Sequence, residues 1–103
     1  VRRAVHGNVA LVGDAAGHTH PITGAGIFAA VTGGDMAGKW AARAVLDKNM
    51  DLLEAYEAEW QDLLADTLDR AHDRRRIMEA EWADFSRTVQ RTWVAFREYY
   101  AGA

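Results

Sequence analysis

Residues 9–27 read VALVGDAAGHTHPITGAGI, and their reading decides how the rest of the chain is understood. Four apolar residues, Val9 to Val12, close on Gly13. That is the composition of a short strand buried on both faces. Asp14 follows at once, at the position just beyond a strand's carboxyl end where open α/β sheets bind ligands. Gly13 permits a tight turn, and the Asp14 carboxylate can accept hydrogen bonds from a pair of sugar hydroxyls. Pro21 stiffens the loop that follows, while Gly24 and Gly26 let a backbone approach a ligand without interference from Cβ. A helix starting near Gly26 turns its free N–H groups and positive dipole end toward that ligand.

With Gly-Asp, Pro and Gly-x-Gly at these offsets, GDAAGHTHPITGAGI resembles the second flavin motif of the glutathione-reductase-like FAD oxidoreductases. Within that group it is most similar to the geranylgeranyl reductase branch. The resemblance is dense over residues 8–38 and weak afterwards. It implies that Asp14 holds the FAD ribose and that Pro21 to Gly24 lie beside the isoalloxazine. It further implies that Gly26 and Ile27 present amides near the pyrimidine carbonyl. The implied cofactor-binding set is therefore Gly13, Asp14, Pro21, Gly24, Ala25, Gly26 and Ile27, with NAD(P)H as the implied reductant.

The same family carries G-x-G-x-x-G after its first strand, to receive the FAD pyrophosphate. This chain has no such fingerprint and does not begin with Met. The expectation is a carboxy-terminal piece of a longer enzyme, whose remainder is its partner. Residues 1–48 are expected to be part of the FAD-binding domain and residues 49–103 a helical tail. The fold class is α+β, mostly α-helical, with short strands first and long helices after.

A chain of 103 residues buries a modest core. Its net charge of −3 gives no electrostatic footprint for nucleic acid. The absence of cysteine excludes disulfides and thiolate chemistry. No run approaches the roughly 18 apolar residues of a membrane span, and no signal-peptide core opens the chain. The expected location is cytoplasmic, with peripheral membrane contact open.

Ahead of the motif, Val1 to His6 reads as a strand end feeding a Gly7-Asn8 hairpin turn, with Arg2 and Arg3 on a solvated edge. After it, Ile27, Ala30, Val31, Gly34, Ala37, Gly38, Ala41 and Val45 recur at helical spacing as far as Leu46. The cost of Gly33-Gly34 in a helix, roughly 1 kcal/mol each relative to Ala, is tolerable where close packing compensates. Asn49 is the expected left-handed stop. A Walker-A-like Gly33-x4-Gly38-Lys39 fails because Trp40 replaces Ser or Thr and the match lies in mid-helix.

Asp51 is expected to start a second helix, with Glu54 closing a capping box. Leu52, Leu53, Tyr56, Trp60, Leu63, Leu64, Leu68 and Ala71 form its apolar face, and Glu57 and Glu59 belong to a solvated one. Arg74-Arg75-Arg76 reads as a solvated helix end or bend. Beyond it Met78, Trp82, Phe85, Val89, Thr92, Phe96 and Tyr99 step by fours and threes, a seam of aromatic knobs. Trp60, Trp82 and Trp93 are assigned to core.

His18 and His20 sit two apart, an arrangement that in extended backbone turns both rings one way and suits a metal. His6 and His72 offer no telling partner spacing, so no metal site is assigned. The pair is read as lining the flavin pocket, donating hydrogen bonds or simply belonging to the loop. No nucleophile–base arrangement is readable, so no catalytic residue is assigned. The family resemblance implies reduction of isoprenoid double bonds on small or lipid-linked substrates. Flavin-dependent aromatic hydroxylation is the enzymatic alternative. A non-catalytic helical module, self-associating through the aromatic seam, is the alternative of another class.

Overall fold

In the computed structural model, residues 2–101 are described. The chain is mostly helical, with one small antiparallel hairpin at its start. It divides into two compact units: Val1–Thr19 with Ala25–Asp66, and His20–Gly24 with Thr67–Ala103.

In the first unit, β1 (Val5–His6) pairs with β2 (Val9–Ala10), Val5 opposite Ala10 and His6 opposite Val9. The loop between them is Gly7-Asn8, and Gly7 takes the positive φ of 62° that suits the first position of a two-residue hairpin turn. The Leu11 amide continues the pairing to the Ala4 carbonyl at 2.8 Å. The expected doubly buried strand over Val9 to Val12 is therefore shorter and less covered. Val9 is 53% exposed, because among the described residues β1 is the only strand beside it.

Helix α1 spans Ile27–Leu46, close to the extent expected. It buries Ala29, Gly33, Ala37 and Ala44, whereas Ile27, Val31 and Val45 of the expected face are exposed. Alanine and glycine scattered around the helix leave its inward face poorly marked by hydropathy. A β-carbon added at Gly33 would meet Val12 Cγ1 at 3.4 Å, so the strand-to-turn segment packs directly on the helix backbone. The helix ends with the Asn49 amide on the Ala44 carbonyl at 2.9 Å and the Lys48 amide on the Val45 carbonyl at 3.2 Å. This paired closure needs a left-handed residue, and Lys48 takes it at φ 52°, one position before the Asn49 expected. Asn49 instead accepts the Asp51 amide at 3.1 Å and opens a 3-10 turn over Met50–Leu52.

Helix α2 spans Leu53–Ala80 and runs unbroken through the three arginines. Glu54 pairs with Arg3 at 2.7 Å rather than closing a capping box. Leu53, Tyr56, Trp60 and Leu64 are core in the first unit, and Leu68 and Ala71 in the second. The break falls at Glu81, followed by a 3-10 turn (Trp82–Asp84), α3 (Phe85–Thr92) and a last 3-10 turn (Arg97–Tyr99). The aromatic seam is thus not one helix face. α3 buries Thr88 and Thr92 and leaves Phe85 exposed; Trp82 and Trp93 are exposed too. Thr88 bonds through its hydroxyl to the Glu81 carbonyl at 3.1 Å, a local closure that residue spacing does not reveal. No helix among the described residues is long and apolar enough to cross a membrane.

Candidate functional site

The first unit brings Asp14 and Gly26 together. Gly13, with φ 62°, opens a 3-10 turn over Gly13–Ala16, and Gly17 closes it in left-handed geometry at φ 74°. The Gly17 amide bonds to the Asp14 carbonyl at 3.0 Å and the His18 amide to the Gly13 carbonyl at 3.1 Å. A β-carbon at Gly13 would lie 3.2 Å from the Ala30 β-carbon, so both backbone angle and space require glycine there. Asp14 projects to solvent from this turn, and the Thr19 hydroxyl donates to its Oδ1. Gly26 is the N-cap of α1 and supplies no side-chain cap; a β-carbon on it would sit 3.2 Å from Asp14 Oδ1. An exposed carboxylate therefore lies at an uncapped helix N-terminus, held by one hydroxyl and approached by bare backbone. Ile27 begins α1 largely in solvent, and Ala25 is exposed.

Pro21 and Gly24 belong to the second unit. The Pro21 carbonyl accepts Arg75 Nη1 at 3.1 Å. Gly24 has φ 74° and open space where a β-carbon would be, and its amide bonds to the His20 carbonyl at 2.9 Å.

The two loop histidines part company. His18 is 2% exposed, with its ring centroid 4.4 Å from that of Trp60, and neither ring nitrogen has a hydrogen-bond partner among the described residues. Burial lowers its pKa below the usual 6.5. His20 uses both ring nitrogens: Nδ1 accepts the Ile22 and Thr23 amides, and Nε2 lies 3.1 Å from the Tyr99 hydroxyl. Among the described residues, no group of three or more His, Asp or Glu is placed to hold a metal.

Two residues assigned to solvent by sequence are structural anchors. Glu57 is 5% exposed, and one oxygen, Oε2, accepts both the Ala4 and Val5 amides at 2.9 Å. Burial raises its pKa, but hydrogen bonds from Gln61 and these amides outweigh it, leaving the carboxyl below the ordinary 4.5. Arg74 is 6% exposed and donates to the Tyr99 and Ala101 carbonyls, each at 2.8 Å. The signal for both was present: Glu57 lies four after Leu53 and three before Trp60, and Arg74 three after Ala71, on the buried stripe. Glu59, by contrast, is half-buried and pairs with Lys39 and Trp40 Nε1 near the surface.

An open apolar groove of about 470 Å³ lies between the hairpin and α1, lined by Ala10, Val12, Gly34, Ala37, Gly38 and Ala41 among others. It offers no titratable side chain, so it can hold an apolar surface but perform no proton transfer.

Comparison with known proteins places a geranylgeranyl-type reductase relationship on this segment. The digeranylgeranylglycerophospholipid reductase of Methanococcus vannielii is 38% identical over 64 residues, 60% of this chain and 16% of that protein. The enzyme of the same name from Methanococcus aeolicus is 36% identical over 87 residues, 79% of this chain and 22% of its own length. Digeranylgeranylglycerophospholipid reductase 2 of Methanococcoides burtonii is 41% identical over 63 residues, 59% of this chain and 16% of that protein. The chain thus spans about a fifth of the length of the curated relatives it matches. The resemblance to the geranylgeranyl reductase family holds against these named relatives. No family model and no solved structure matches.

Proposed function

We propose that this chain is the segment of a flavin-dependent reductase that holds the FAD ribose, and that the parent protein reduces carbon–carbon double bonds of isoprenoid chains. The observation that carries the reading is the Asp14 carboxylate, exposed at the bare N-terminus of α1. The residues present fit such a group. Thr19 fixes the carboxylate while leaving it open to ligand hydroxyls, and Gly26 leaves room where a side chain would crowd it. In this reading Asp14 binds the ribose, and Gly13, Ala25, Gly26 and Ile27 shape the approach, with Pro21 and Gly24 in the loop beside the flavin. The amides and dipole of α1 favour the electron-rich side of the cofactor. The flavin, when bound, supplies hydride transfer; this chain's residues bind and orient it.

NAD(P)H is the proposed electron source and a small or lipid-linked isoprenoid the proposed substrate, with a cytoplasmic site of action at the membrane surface. The relatives bear reductase names, which favours reduction over aromatic hydroxylation. A second reading, self-association of the isolated chain, draws on the exposure of Trp82, Phe85, Trp93 and Phe96. The test of the first is to supply the reduced parent protein with a geranylgeranyl lipid and follow the product by mass spectrometry. Two hydrogens gained per double bond support it. An added oxygen, or unchanged lipid with active flavin, contradicts it.

A further inference from the structure

The loop of residues 20–24 is closed by hydrogen bonds that converge on one residue. Gly24 donates its amide to the His20 carbonyl at 2.9 Å. Ile22 and Thr23 donate theirs to His20 Nδ1 at 3.3 and 3.2 Å. Pro21 has no amide hydrogen to place. Backbone N–H groups only donate, so Nδ1 must present a lone pair. The neutral ring then carries its single N–H on Nε2, which donates to the Tyr99 hydroxyl at 3.1 Å. The geometry therefore fixes the tautomer. It also casts His20 in a part that Asn or Asp usually plays, accepting the amides two and three residues on. Nδ1 hangs from Cγ as the Asn Oδ1 does.

We propose that His20 is a pH-operated latch on the 20–24 loop: the neutral imidazole holds the Ile22 and Thr23 amides and is held by Tyr99, and protonation at Nδ1 sets a donor against two donors and opens the turn. The ring's surroundings keep the latch shut at neutral pH. From α2 it feels the charge of His72, with Arg74 over the Tyr99 ring at 5.9 Å and Arg75 bonded to the Pro21 carbonyl. Glu79 on the same helix is engaged by Arg75 at 2.8 Å. From the last turn the ring faces Tyr99, whose ring Tyr100 meets edge-on at 4.8 Å. Tyr99, the side chain bonded to the ring, is a phenol kept neutral by burial. Burial first, and then His72, lower the His20 pKa below 6.5. Tyr99 acts only through His20 and is a positioning residue. The latch concerns the loop alone, and it stands whether or not a flavin lies beside it.

The test is amide hydrogen exchange by NMR on the ¹⁵N-labelled chain, with the histidine tautomers read in the same samples. The expected result is an Nε2–H tautomer for His20 and protection of Ile22 and Thr23 at alkaline pH by tenfold or more. That protection is lost along the His20 titration as pH falls. In His20→Asn, which keeps the acceptor but cannot titrate, protection persists to acid pH. In Tyr99→Phe, the pH midpoint of loop opening moves together with that of the ring. An Nδ1–H tautomer overturns the proposal, as do unprotected Ile22 and Thr23 amides at alkaline pH. Loss of protection at the same pH in His20→Asn and the unaltered chain also overturns it.

Discussion

Helix α2 carries one buried charge in each unit, and the two do mirror-image work. Glu57 takes the backbone amides of Ala4 and Val5 onto one carboxylate oxygen. Arg74 gives its hydrogens to the carbonyls of Tyr99 and Ala101. Each ties a stretch of chain distant in sequence to the helix by satisfying two of its backbone groups. The difference lies in what each leaves behind when it fails. Ala4 and Val5 are fully buried, so their amides have no water to turn to, and orphaned buried N–H groups are among the rarest features of folded proteins. Ala101 is exposed, and a carbonyl there can be hydrated. The Glu57 carboxyl, held below its ordinary value by its hydrogen bonds, also makes its tie depend on pH.

The comparison breaks most visibly at Glu57. Glu57→Ala is expected to cost about 3 kcal/mol in urea unfolding, since it strands two buried donors. The folded pKa of Glu57 lies below its ordinary value, so its contribution is complete above about pH 4.5 and is lost as pH falls through the folded value. Arg74→Ala is expected to cost less, about 2 kcal/mol, with its loss of exchange protection centred on the last turn. An equal or larger loss for Arg74→Ala would show that hydration of the stranded groups does not set the difference.

His18 supplies a further contrast, with its neighbour in the loop. His20 spends both ring nitrogens on hydrogen bonds; His18 is buried without a partner among the described residues. Because the folded pKa of His18 is lowered, its neutral form stabilises the fold above pH 6.5, and that support is lost as pH falls below it. His18→Leu should leave the urea midpoint at alkaline pH nearly unchanged and flatten the decline below pH 6.5. An undiminished decline would place the proton uptake elsewhere. The smallest effect is expected at the end of α1. Lys48→Gly relieves a left-handed non-glycine residue and should add about 1 kcal/mol to stability.

What the sequence displayed, and what it hid, divides along the same physical lines. Gly7-Asn8 and the extent of α1 were legible because they depend on local backbone preference and on residues near in sequence. The stripe on α2 was legible from its spacing, but two of its members were charged and so were assigned to solvent. Hydropathy alone cannot tell that Glu57 and Arg74 meet backbone groups far along the chain. The aromatic steps from Met78 to Tyr99 keep helical spacing, yet the chain leaves the helix at Glu81, where Thr88 returns to bond its carbonyl. At the candidate site, the tight turn at Gly13 could be anticipated from residue type. The turn organised by His20 could not, since histidine accepting two amides is a choice made by tautomer and by Tyr99.

Under the proposed function, Asp14 serves a flavin. The most direct measurement is the visible absorption spectrum of the purified parent protein, taken beside that of its Asp14→Ala variant after equal desalting. The account predicts a flavin band in the parent that is lost or sharply weakened in the variant. A colourless parent that takes up no added FAD, or a variant that holds FAD as tightly as the parent, would contradict it.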